Sequence, residues 1–134
     1  MSDDVSTLHD LIPAYAGHGD AQARRLSDQQ VRAWTGEALV DLRDRLDVAP
    51  VSDRFEALLM RCEFGDQHVI KALENDHFAA PGAAATVEEH DGQLVAAAAA
   101  AQTVTADGLE GFMSTIERAF DDRATAVVTN YLKR

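Results

Sequence analysis

The side chains of this sequence that could do chemistry are five histidines, one cysteine and a surplus of carboxylates. Carboxylate-bridged di-metal sites in helical bundles need two Glu-x-x-His pairs and two further Glu, all pointing inward. One such pair is present, Glu74 and His77, at the expected end of a helix, with His68, Glu63, Glu89 and His90 as the other ligands within imaginable reach. No second pair exists and no two histidines stand at i,i+4, so the metal reading rests on Glu74, His77 and His68 alone. Nucleophilic catalysis needs an activated Ser or Cys beside a base. Cys62 shares a helical phase with Phe55, Leu58 and Leu59, which predicts a buried, inert thiol. None of the five serines lies in a Gly-x-Ser-x-Gly elbow, and no glycine pattern matches a phosphate loop or dinucleotide fingerprint. The expectation is no catalytic residue, no cofactor and no metal. An enzyme would have to use the Glu74, His77 and His68 region.

His68-Val69-Ile70-Lys71-Ala72 resembles the His-x-x-Lys-Gly pattern of histidine phosphotransfer domains, with Ala72 in place of the glycine. The resemblance implies an exposed His68 that carries phosphate, although Asp66 beside it would repel the incoming group. Trp34-Thr35-Gly36 resembles the Trp-x-Gly of small secreted helical hairpin proteins, where the motif occupies a turn. Here it falls inside a strongly periodic stretch, which makes Trp34 a core anchor instead.

Charge bounds the partners. The 134 residues carry a formal net charge of −11, a balance that repels phosphate backbones and anionic headgroups. Nucleic acid and membrane surfaces are therefore not expected as partners. An acidic mimic that binds a basic protein surface remains open. A single cysteine permits no internal disulfide, and Met1-Ser2-Asp3-Asp4-Val5 lacks the basic and apolar regions of a signal peptide. The longest apolar run, Leu94 to Ala101, is far shorter than the roughly 20 residues of a membrane span. These features predict a soluble cytoplasmic protein.

Apolar spacing defines the elements that must position these groups. Val5, Leu8, Ile12 and Tyr15 predict a short helix over 5–16, with Pro13 and Gly17-His18-Gly19 ending it. Val31, Trp34, Ala38, Leu39, Leu42 and Leu46 predict a helix over about 28–47. Ser27 fits its N-cap, Gln30 the reciprocal position, Leu26 and Val31 a staple, and Asp41–Arg45 an i,i+4 pair. Phe55 through Leu73 keep one phase over 53–75, capped by Ser52 or Asp53 and interrupted at Gly65-Asp66; one bent helix is favoured over two. After a Pro81-Gly82 loop, Thr86 and Glu89 form a capping box for a helix over 87–102, whose alanines permit close packing. Leu109 through Tyr131 hold one stripe over 106–132, behind a Thr105 or Asp107 cap.

No strand is expected, and the whole predicts an all-α, single-domain up-and-down bundle of four to five helices. The functional expectation is a non-enzymatic protein-binding or adaptor module of unknown partner, with a homodimer as one form of it. Two features motivate it: the long last stripe, part of which could lack cover, and the flat Ala96–Ala101 surface.

Overall fold

The computed structural model describes residues 3–75 and 78–132. Among them there is no strand, and the helices form one all-α bundle. They are α1 (Asp3–Leu11), α2 (Ala21–Arg45), α3 (Ser52–Phe64), α4 (Gln67–Leu73), α5 (Ala83–Ala99) and α6 (Leu109–Tyr131). Short 3-10 turns at Ala49–Val51, Ala100–Thr103 and Ala106–Gly108 join them. α5 lies at the centre, in contact with α1, α2 and α6, while α3 and α4 close the bundle against α2 and α6.

The longest predicted stripe is accurate. Leu109, Phe112, Met113, Ile116, Phe120, Ala124, Val127 and Tyr131 are all buried, so α6 leaves no part of that stripe without cover. The alanine segment is likewise largely used inside the fold: Ala98 and Ala101 are buried, and Ala96, Ala97 and Ala99 are half-buried. Both features invoked for self-association are thus taken up within the chain. Trp34 is half-buried, packed on the edge of the core rather than inside it.

Four helix starts differ from expectation. α6 begins at Leu109 after a 3-10 turn, with Gly108 as its N-cap and no side-chain cap from Thr105 or Asp107. α2 begins two turns early, where Asp20 accepts a hydrogen bond from the Ala23 amide at 2.7 Å as the N-cap. Ser27 is no cap: it is fully buried, and its hydroxyl donates to the Gly17 carbonyl at 2.6 Å. Gln30 clasps the preceding loop instead, donating to the Ala14 carbonyl and accepting from the Ala16 amide. α3 is fed directly by a 3-10 turn, with no side-chain cap from Ser52 or Asp53. α5 starts at Ala83 after Gly82, whose φ of 73° places it in the left-handed region, so Thr86 lies within the helix.

The predicted 53–75 helix is two helices. Gly65, at φ 71° and ψ 177°, turns the chain between α3 and α4. A Cβ there would come within 3.0 Å of Ile70 and 3.1 Å of the Arg32 guanidinium. The break is therefore built around Arg32, which donates to the Cys62 and Glu63 carbonyls at the open end of α3. Gly92 has a different role: a Cβ on it would collide with the backbone carbonyl of Asp4, so its absence lets α1 cross α5 closely.

Candidate functional site

Two arrangements stand out: a buried ionic layer and a surface groove joined to it through Arg32. Asp28, Asp91 and Arg123 each occupy a core-facing phase of their helix: Asp91 lies between Val87 and Leu94, Arg123 between Phe120 and Val127, and Asp28 one turn before Val31. Arg123 donates from Nε to Asp91 Oδ1 and from Nη2 to Asp28 Oδ1, each at 2.6 Å. The other oxygen of Asp28 accepts from Arg32 Nε at 2.9 Å. The other oxygen of Asp91 accepts from the Tyr15 hydroxyl at 2.6 Å, and His18 Nε2 lies 2.7 Å from it.

This layer divides the apolar interior. On one side lie Val31, Leu94, Met113, Ile116 and Phe120; on the other lie Val69, Leu73, Val87, Val127 and Tyr131. Burial disfavours the charge on Asp91, but Arg123, then His18 and Tyr15, outweigh that and hold its carboxyl at about 2. Burial works against the charge of Arg123 as well, yet Asp91 and Asp28 raise its pKa above the usual guanidinium value. Burial, reinforced by the Asp91 charge, pushes the Tyr15 phenol well above its ordinary range. Two acids and two guanidiniums therefore balance in a layer with no substrate-sized space between their paired atoms. The layer ties α2, α5 and α6 to one another through charge-assisted hydrogen bonds.

Arg32 connects this layer to the outside. It lines an open groove of about 630 Å³ between α2 and α3. Gly36 sits against the Cys62 side chain, where a Cβ would approach within 3.2 Å, so α2 and α3 meet closely beneath the groove. Val40, Leu59 and Met60 give it apolar walls, and Glu37 and Asp41 on α2 face Glu56 and Glu63 on α3 across it. Met60 is 57% exposed and Phe64, one turn further along α3, is 61% exposed. The expected Asp41–Arg45 pair does not form. Arg45 instead reaches the Ala101 and Val104 carbonyls, which leaves the Asp41 carboxylate facing the groove. Glu37 and Asp41 also border a second depression of about 460 Å³ on the other flank of α2, lined by Trp34, Leu42 and Ala98. The α2 ridge thus carries acids between two partly apolar hollows.

The residues singled out from sequence are scattered. Cys62 is buried and its thiol is pushed up to about 12 by burial, against the lowering effect of Arg32 and Arg61. His68 is exposed on α4, as the phosphotransfer resemblance required, and Glu74 is exposed at the end of that helix. His77 lies outside the described residues. Among the described residues no three His, Cys, Asp or Glu side chains are grouped to hold a metal ion. Asp66 pairs with Arg61, which also holds Asp121. Trp34-Thr35-Gly36 lies in the middle of α2, not in a turn. No described helix is long and apolar enough to cross a membrane. No protein-family model matches the chain, and comparison with curated proteins and with solved structures gives no match.

Proposed function

We propose that this protein is a non-enzymatic helical module that binds a protein partner along the α2/α3 groove. The observation that carries this reading is the exposure of Met60 in a groove with Leu59 and Val40 in its walls, with a second exposed apolar side chain, Phe64, one turn further along α3. Large apolar side chains gathered at a concave surface favour association more than scattered ones do. Methionine adds adaptability, because its unbranched side chain reshapes to fit a partner. The rigid ionic layer behind Arg32 supports the same reading, since a preorganised surface loses less entropy on binding.

The test is site-specific photo-cross-linking in the cells that make the protein. A cross-linkable residue at position 60 is compared with one at the exposed position Asp122 on α6. The expected result is a discrete adduct from position 60, identified by mass spectrometry as one protein, and none from position 122. Equal adducts from both positions, or none from either, would overturn the reading.

A further inference from the structure

We infer, on the reading of the α2/α3 groove as a protein-binding surface, that its occupant is a cationic amphipathic helix. A trough between two packed helices is shaped for a third helix, lying with its apolar stripe on the floor. The α2 side, from Arg32 to Arg43, extends for roughly 16 Å, or about three turns of an occupant. The floor and walls offer Gly36, Val40, Leu59 and Met60 to that stripe.

Charge selects the flanks of the occupant. Glu37 and Asp41 stand on one rim, Glu56 and Glu63 on the other, and none of the four is in a salt bridge among the described residues. The groove's two arginines do not balance them, since four acids line it against two cations. Arg32 is committed to Asp28 and to the α3 carbonyls, and Arg43 lies 3.9 Å from Asp44. A helix whose apolar stripe is flanked by Lys or Arg therefore meets carboxylates on both sides. A second copy of this chain is the poorer occupant. A two-fold contact through the groove would set these acids against one another, and the whole chain carries −11.

The experiment is a titration of the isotope-labelled intact protein, followed by backbone amide NMR. One peptide places Leu at helical spacing with Lys on both flanks. A second replaces each Lys by Glu, a third replaces each Lys by Gln, and a fourth scrambles the Lys peptide so that no stripe forms. The expected result is saturable shifts from the Lys helix at Gly36, Val40, Leu59 and Met60. Its affinity should fall about tenfold or more between 50 mM and 500 mM salt, because exposed charge pairs are screened. Glu63→Lys, an exposed change, should weaken it while leaving distant amides in place. Neither the Glu helix nor the scrambled peptide should saturate at matching concentrations.

Shifts spread over the whole surface, or equal binding by the scrambled peptide, would overturn the inference. Equal occupancy of the groove by the Gln or Glu helix would overturn the charge selection but leave the protein-binding reading standing. Groove amides silent to every helix would overturn the inference and count against the protein-binding reading with it.

Discussion

Arg123 on α6 donates to Asp28 on α2 at 2.6 Å across a separation of 95 residues, with both side chains almost wholly buried. The same guanidinium holds Asp91 on α5, so one side chain neutralises two acids on two other helices. Removing it leaves two carboxylates without their shared partner in apolar surroundings. Arg123→Met should therefore cost about 3–5 kcal/mol in denaturant unfolding. A loss below about 1 kcal/mol would show that the layer is not assembled as described.

Acid should find the same weakness. The Asp91 carboxyl, near 4 in an unfolded chain, is held at about 2 in the fold. A depressed carboxyl adds stability that is present above its unfolded pKa and is lost as pH falls through the folded one. The contribution is on the order of 2 kcal/mol, lost between about pH 4 and pH 2. The stability difference between the wild-type chain and Asp91→Asn, measured by urea unfolding, should shrink across that window. A difference that stays constant down to pH 2 would contradict the assignment.

The start of α2 gives a sharper comparison. Asp20→Ala should cost about 1 kcal/mol, as loss of an N-cap does. Ser27→Ala should also destabilise, but through the Gly17 carbonyl it leaves without its donor in the fold, and the tight turn at Gly17-His18-Gly19 should loosen with it. Amide exchange separates the two: Asp20→Ala frays the first turn of α2, whereas Ser27→Ala exposes the 14–19 loop.

Cys62 should resist thiol reagents. Its burial and its thiol, pushed up to about 12, leave almost no accessible thiolate at neutral pH. Labelling by a disulfide reagent at pH 8 should be slow in the native protein and fast in denaturant. Prompt native labelling would mean that α2 and α3 part readily under the groove.

Gly92→Ala should destabilise despite alanine's better helix propensity. The added methyl meets the Asp4 carbonyl, so α1 must move off α5. Faster exchange of α1 amides, with α6 amides unchanged, is the expected signature.

Much of the fold was legible in the sequence because apolar periodicity reports which face of a helix is covered. The Leu109–Tyr131 stripe and the burial of Val31, Leu39, Leu42, Phe55, Leu58 and Cys62 follow from spacing alone. Helix starts were harder, since Ser27-x-x-Gln30 and Thr86-x-x-Glu89 have the residue types of capping boxes yet lie inside helices. Ser27 and Gln30 are both tied to the 14–17 loop instead. The break at Gly65 depended on Arg32, a residue from another helix that local pattern does not contain. Trp34 shares the phase of Ala38 and Leu42 but sits at the edge of a hollow, which periodicity cannot distinguish from the core.

The ionic layer leaves a trace in the sequence. Asp28 stands one turn before Val31, Asp91 between Val87 and Leu94, and Arg123 between Phe120 and Val127. A charge at the same phase as flanking apolar residues, repeated on three helices, signals mutual neutralisation. The groove left less: its acids look like any solvated helix face until α3 is placed beside α2. Met60 in the groove and Phe64 beyond it fall outside the stripe that Phe55 and Leu58 define.

The layer also makes the pairing of α2 with α5 dependent on a residue of α6. Asp28 and Asp91 precede Arg123 along the chain, so α2 closing on α5 without α6 would dehydrate two carboxylates with only Arg32, Tyr15 and His18 as partners. A truncation before α6 removes more than apolar cover: it takes away the cation that allows the earlier helices to come together.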